Sequence, residues 1–559
     1  MTDMRRTVLW VVFTMSLVLL WDAWNKHNGH PPMFFGAGAK PAVTAPAPGS
    51  APAIAGSAAV PAPMAGGAAS VTAAAAVAPV GGASAPAAGT TFTVTSDLIK
   101  ASFDSAGASL VRLELLHHVD QNDKTRNVVL FDRSAERVYL AQTGLVGAPD
   151  LPSHLSPMQL VPGATTLQDG ADELNVRFES PVMGGVKLAK TFTFKRGSYA
   201  VKVTHEVQNV GTTAISPQLY QQLVRDGNPP PGESSFYFTF TGPAVYTDAA
   251  KFKKIEFKDI EKGNASIDKS ADNGWVAMVQ HYFISAWLHG DAAAREFYAR
   301  KVDTNLYAIG QLFALGPIEP GQTRSFTSQL YAGPQEEKKL EELAPGLDLV
   351  KDYGIFTILA KPLFWLLSWL YQLIGNWGWA IVALVVLLKA AFYGLNARAY
   401  ASMARMKKVN PRIMEMRERL KDNPQQMQQE MMRIYREEKI NPLGSCLPIL
   451  VQIPVFIALY WVLLSSVEMR NAQWLWITDL SAKDPYFILP IVMTATSLLQ
   501  TWLNPTPPDP VQAKLMWIMP LVFGIMFFFF PAGLVLYWIT NNVLSIAQQW
   551  FINRRLGVN

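Results

Sequence analysis

The chain has 559 residues, 50% of them hydrophobic and only 16% charged, with a formal net charge of +5. That balance leans away from an ordinary soluble protein, and the length leaves room for a large soluble domain beside a membrane domain. Cys446 is the only cysteine, which excludes a disulfide framework, so an exported domain has to be held by its core alone.

The first apolar run, Thr7 to Trp21, follows Arg5 and Arg6. Trp21-Asp22-Ala23-Trp24 stands where an A-x-A-like cleavage pattern would, so residues 1–24 read as an uncleaved transmembrane signal anchor. The two arginines keep the N-terminus in the cytosol and send the next domain outward. Residues 25–90 read as a flexible linker, since from Pro31 onward Ala, Pro, Gly, Val and Ser dominate and Lys40 is the sole charge.

Residues 91–345 change character to short runs of period two. Thr91 to Thr95 alternates, and Leu188 to Phe194 and Tyr199 to Val207 flank Lys195-Arg196-Gly197-Ser198, a predicted hairpin with Gly197 supplying a positive φ. Many such strands joined by Gly, Pro, Asn and Asp predict a large all-β sandwich. No phosphate-binding loop, no G-x-S-x-G and no paired cysteines occur, and His117-His118 lacks the spacing of a metal pair. No cofactor or metal is expected, and no enzyme activity. A helix is predicted over Glu336 to Glu342.

Residues 346–375 contain Ile355 to Ile374, which is long enough to span but carries Lys361-Pro362 and many aromatics. If it spanned, the basic segment after Tyr393 would lie outside. Laid along the outer interface as an amphipathic helix, it leaves that segment in the cytosol, as the positive-inside tendency requires.

Residues 376–559 then supply five spans: Trp377–Tyr393, Leu447–Leu464, Tyr486–Leu503, Leu515–Phe530 and Leu534–Phe551. With the anchor this makes six transmembrane helices and two cytosolic termini. Between the first two of these spans, residues 396–441 form a basic helical hairpin, broken at Lys421-Asp422 with Asn423 as N-cap and Pro424 at the first helical position. Its apolar positions are mostly methionine (Met403, Met406, Met414, Met416, Met427, Met431 and Met432), suited either to an adaptable partner surface or to a plain two-helix seam. Its basic face suits anionic phospholipids or ribosomal RNA.

Lys389 is the one formal charge inside a strongly apolar span. It lies about 18 Å down its helix at 1.5 Å per residue, near or past the midplane of a core roughly 30 Å thick. A lysine at such depth costs roughly 2.5–3.5 kcal/mol against lipid. No acidic residue lies within a span to pair with it; Gln452, Thr494, Thr496, Ser497, Gln500, Asn541, Asn542, Ser545 and Gln548 supply amides and hydroxyls instead. A cation in such company predicts a wet recess open to the cytosol.

The runs Glu438-Lys439-Ile440-Asn441-Pro442-Leu443-Gly444, Cys446 to Phe456, Leu475 to Leu480, Asp484-Pro485-Tyr486 and Phe530 to Trp538 closely resemble the YidC/Oxa/Alb family of membrane insertases, Gram-negative type. The resemblance implies a five-helix insertase core with a periplasmic β-supersandwich, in the bacterial inner membrane. It implies insertion and folding of nascent membrane proteins, alone or with the Sec translocon and its accessory subunits. Lys389 matches the groove's positive charge, an arginine in many members; Gln452, Asn542 and Ser545 match polar groove positions. Pro454, Phe456, Pro520 and Met526 match a substrate-contacting slide. The C-terminus is short, which leaves ribosome docking to the hairpin. Two alternatives from the residues are a small-solute or ion-coupled transporter with Lys389 as binding charge, and an anchored sugar-active enzyme.

Overall fold

In the computed structural model the described residues are 89–557, apart from 122, 232–238, 291, 421–422, 439–441 and 505–509. The expected signal anchor, and nearly all of the linker, lie outside them. Two compact units divide between Lys351 and Asp352.

The first unit is built on two nine-stranded antiparallel sheets. One has Val138–Val146, Gln218–Asp226 and Leu306–Ala314 as neighbours near its centre; the other has Phe283–Leu288, Thr323–Pro334, Ala200–Asn209 and Val186–Lys195. The predicted hairpin is present: Lys187 to Phe194 pairs with Val201 to Gln208, and Gly197 adopts φ 73°. Alternation explains why the strands are stable, since Leu188, Phe192, Val203 and Val207 all point into the core.

The sheets face each other through a polar seam as well as an apolar one. The Tyr139 hydroxyl meets Ser285, Gln221 Nε2 donates to Ser328 Oγ at 2.5 Å, and Trp287 Nε1 donates to Gln222 O at 3.2 Å. Two short helices complete this unit, α1 (Phe257–Glu261) and α2 (Glu337–Leu343), the latter where the sequence predicts it. The unit extends slightly past residue 345, because Leu347 and Val350 are buried in a short 3₁₀ turn.

The second unit is helical: α3 (Thr357–Ile374), α4 (Trp377–Ala391), α5 (Tyr393–Arg419), α6 (Pro424–Glu437), α7 (Pro442–Ser465), α8 (Ile488–Leu503), α9 (Pro510–Phe527) and α10 (Ala532–Arg555). Ala360, Phe364, Leu367 and Leu370 of α3 repeat at helical spacing and join the buried core; Ile358, Trp365, Trp369 and Leu373 face outward. By length and composition, among the described residues only the Gly354–Ile374 helix is a stand-alone candidate span. The pair α4–α5 qualifies jointly but is bent by 69°, and Val451–Ser465, Ile488–Leu503 and Ala513–Phe527 are shorter apolar helices. The expected span Trp377–Tyr393 therefore stops at Ala391, where the chain turns at Phe392.

Caps and close approaches fix these helices. Asn376 Oδ1 accepts from Trp379 N at the start of α4, while Asn376 Nδ2 donates to Gln473 O at 2.9 Å. Gly378 lets α4 come against the Trp474 ring, for a Cβ there would meet Trp474 Cγ at 2.3 Å. The hairpin has the predicted cap, with Asn423 accepting from Gln426 N and Pro424 at N1. Val409, Ile413, Met416 and Ile434 form its buried seam, with Met406, Met427 and Met431 packed on it, and only Met414 and Met432 of its methionines are strongly exposed. The methionine face is thus mostly the two-helix seam.

Candidate functional site

Lys389 occupies the last turn of α4, just before the bend at Phe392, because an otherwise apolar helix puts it on the side facing α10. Its Nζ donates to Ser545 Oγ at 2.7 Å. Ser545 in turn donates to Asn541 O within its own helix, and the Tyr400 hydroxyl of α5 reaches it as well. The lysine is half-buried and its charge-assisted bond is to a neutral hydroxyl.

Ser545 belongs to a buried polar stripe along α10. Asn542, Ser545, Gln549 and Asn553 recur at three- and four-residue steps and are all buried. Asn542 Nδ2 donates to Thr496 Oγ1 and Ser497 Oγ of α8, at 3.3 and 2.9 Å. Gln549 Nε2 donates to Leu503 O and Asn504 Oδ1 at the end of α8. Gln548 Nε2 donates to Tyr393 O at the start of α5. Gln452 of α7 takes a different partner, donating from Nε2 to Asn396 Oδ1 at 3.0 Å. Of the four expected groove residues, then, Lys389 and Ser545 touch, Asn542 turns toward α8, and Gln452 bonds α5.

The expected slide residues divide too. Met526 and most of α9 face outward, including Ile518, Val522 and Ile525. Pro520 lies within that helix and is half-buried, as is Pro454 in α7. Phe456 points inward, with its ring 4.3 Å from Trp538, and the Phe527 ring lies 4.8 Å from that same indole. Close packing of α9 on α8 runs through Gly524, whose Cβ position would lie 2.4 Å from Thr494 Oγ1.

The end of the bundle away from the hairpin is closed by its own loop. Gly533 N donates to Leu480 O and Ala532 N to Ala482 O, which joins the tight turn before α10 to the segment before α8. Asp484 is buried yet satisfied, accepting from Tyr486 N, Leu489 N and Trp476 Nε1. At the opposite end Lys408 Nζ donates to Leu556 O, tying the hairpin to the C-terminus of α10.

Asn396, Tyr400 and Lys408 on α5 escaped sequence reasoning. Their signal was present as polar residues near Lys389, but they read as part of a solvated hairpin. Among the described residues no group of His, Cys, Asp and Glu is arranged to hold a metal.

Two family models match the chain: "YidC periplasmic domain" over residues 91–366 and "60Kd inner membrane protein" over residues 369–558. A protein of Cupriavidus metallidurans named "Membrane protein insertase YidC" is 55% identical over 99% of this chain and 98% of its own length. Proteins of the same name from Ralstonia nicotianae and Burkholderia cenocepacia are 54% and 51% identical, covering 100% and 99% of this chain and 99% of theirs.

Proposed function

The chain belongs to the YidC family of membrane protein insertases, and from that premise we propose how its helical unit inserts a nascent protein into the inner membrane. The α4 and α7–α10 helices cross the bilayer, joined by the signal anchor as a sixth span. α3 lies along the periplasmic interface, with its Trp-rich outer face in the headgroup region. Both termini and the α5–α6 hairpin are then cytosolic, and the β unit is periplasmic.

The observation that carries this reading is the contact of Lys389 with Ser545, a cation held between apolar helices by a neutral hydroxyl. A charge so placed keeps water with it and offers a counter-charge to an acidic segment of another chain. A substrate's hydrophilic flank enters partway beside Lys389, Ser545 and the neighbouring Gln452 and Asn542, which shortens its path through hydrocarbon. Its apolar segment leaves along the outward face of α9, past Pro520 and Met526, with Pro454 and Phe456 of α7 on the other flank. Burial of the substrate's own apolar surface in lipid drives the process, at about 25 cal/mol per Å², and no nucleotide is consumed.

The basic hairpin supplies contacts to the ribosome and to anionic phospholipids, and the assembly works alone or with the Sec translocon and its accessory subunits. Site-directed crosslinking from Met526 to a stalled nascent chain tests the exit path, with adducts expected at its apolar segment. Lys389→Glu is expected to block insertion of substrates with acidic exported tails while Lys389→Arg supports it. Equal insertion by both variants in depleted cells would refute the charge role. The full-length family match and these names favour the insertase over a small-solute transporter.

A further inference from the structure

Asn396 sits one turn beyond the bend at Phe392, as Lys389 sits just before it. It is 3% exposed. Its Oδ1 accepts from Gln452 Nε2 at 3.0 Å, which ties the first turns of α5 to α7. Its Nδ2 is buried and, among the described residues, has no hydrogen-bond partner. A buried amide that has given up water without replacing it is unfavourable in the resting protein. In this pairing the bond from Gln452 occupies the amide oxygen and leaves the N–H to spare. The residues around it are arranged otherwise: Tyr393 O already accepts from Gln548, and Ser545 is engaged by Lys389. Next to it Gly394 has open space where a side chain would stand.

We propose that Asn396 is a specificity-determining contact of the groove, whose spare amide N–H donates to a carboxylate of an acidic segment entering beside Lys389. The inference rests on the groove reading and deepens it. Lys389 supplies long-range attraction for acidic segments, and Asn396 supplies a short, directional bond one turn nearer the cytosol. Gln452 is a positioning residue that keeps the donor turned outward from its own bond. A donor held out of water favours an anionic acceptor, since a bond to a charged group is about twice as strong as one to a neutral group.

The test uses the full-length chain in depleted cells, with one reporter substrate carrying either an acidic or a charge-neutral exported tail. Asn396→Asp keeps the acceptor for Gln452 and removes the spare donor. It is expected to lower insertion of the acidic tail about tenfold relative to the neutral one, with unchanged accumulation of the variant. A photoreactive residue at position 396 is expected to form adducts with the acidic tail of a stalled substrate. That second measurement decides the matter if the aspartate variant fails to accumulate. Lys389→Glu runs in parallel. If Lys389→Glu discriminates between the tails while Asn396→Asp treats them alike and position 396 gives no adduct, the inference falls and the groove reading stands. If Lys389→Glu also treats them alike, the groove reading falls and takes the inference with it.

Discussion

Each unit of this protein sets a lysine among apolar residues, and the two are handled in opposite ways. Lys190 in the β unit is 0% exposed, and its Nζ donates to Gly107 O at 2.6 Å and Thr143 O at 2.8 Å. Both acceptors are main-chain carbonyls of a closed sandwich, and Thr143 also holds His205 through a 2.9 Å hydrogen bond between its hydroxyl and Nε2. Lys389 in the helical unit stays half-buried and touches one side-chain hydroxyl. A sheet supplies spare carbonyl lone pairs wherever a strand ends or bulges, so it can saturate an ammonium group and seal it. A helix consumes its carbonyls internally, so an ammonium between helices depends on a few side chains and keeps capacity for something else. The first arrangement is structural. The second is suited to a ligand that arrives and leaves.

One substitution made at both places sharpens the contrast. Lys389→Met is expected to leave the thermal midpoint of the purified protein nearly unchanged but to reduce insertion of acidic-tailed substrates by more than about tenfold. Lys190→Met is expected to do the reverse. It leaves the carbonyls of Gly107 and Thr143 without their donor, at a cost on the order of 3 kcal/mol, while insertion per folded molecule is retained. Denaturation monitored together with insertion in proteoliposomes checks both, and a large stability loss from Lys389→Met would break the comparison.

Proton linkage separates the units next. Desolvation pushes the Lys190 ammonium down to about 7, and burial, aided by the nearby Lys190 charge, holds His205 well below the usual imidazole range. Between pH 7 and the unfolded lysine value of 10.5, the unfolded chain binds a proton that the folded one has released. Stability of the β unit therefore rises with pH across that window, and His205 adds the same sign as pH rises toward 6.5. Lys190→Met is expected to flatten the upper part of the slope and His205→Gln the lower part, read from unfolding midpoints across the pH range.

Smaller effects probe how the helical unit is positioned. Gly378→Ala would drive a methyl into Trp474 and is expected to cost roughly 1–3 kcal/mol as overpacking, seen as a lower unfolding midpoint in detergent. Asn376→Ala removes both the N-cap of α4 and its bond to Gln473 O. About 1 kcal/mol is expected from the cap, measured the same way.

Much of this was readable from local pattern. The Gly197 hairpin, the Asn423-Pro424 helix start and the apolar helix that carries Lys389 follow from turn chemistry, capping and hydropathy, all of which act over a few residues. The β-rich character of residues 91–345 followed from period-two alternation, and the family was legible in the runs around Pro442 and Pro531. Lys190 shows the limit. In sequence it is one more charge in an alternating strand, and only the opposing sheet makes it a sealed amine.

The candidate site divides along the same line. Composition determined that one cation and a set of amides and hydroxyls lie in apolar helices, whereas the fold selected Asn542, Ser545 and Gln549 as the buried face. Which helix each of them meets was decided by the tertiary structure. Asn542 turns to α8, Ser545 to Lys389, and Gln452 to Asn396, whose helix the sequence assigned to the cytosolic hairpin. Spacing along one helix fixes a direction around its own axis; the neighbour found in that direction depends on how several helices cross, and that is set by packing among residues far apart in the chain.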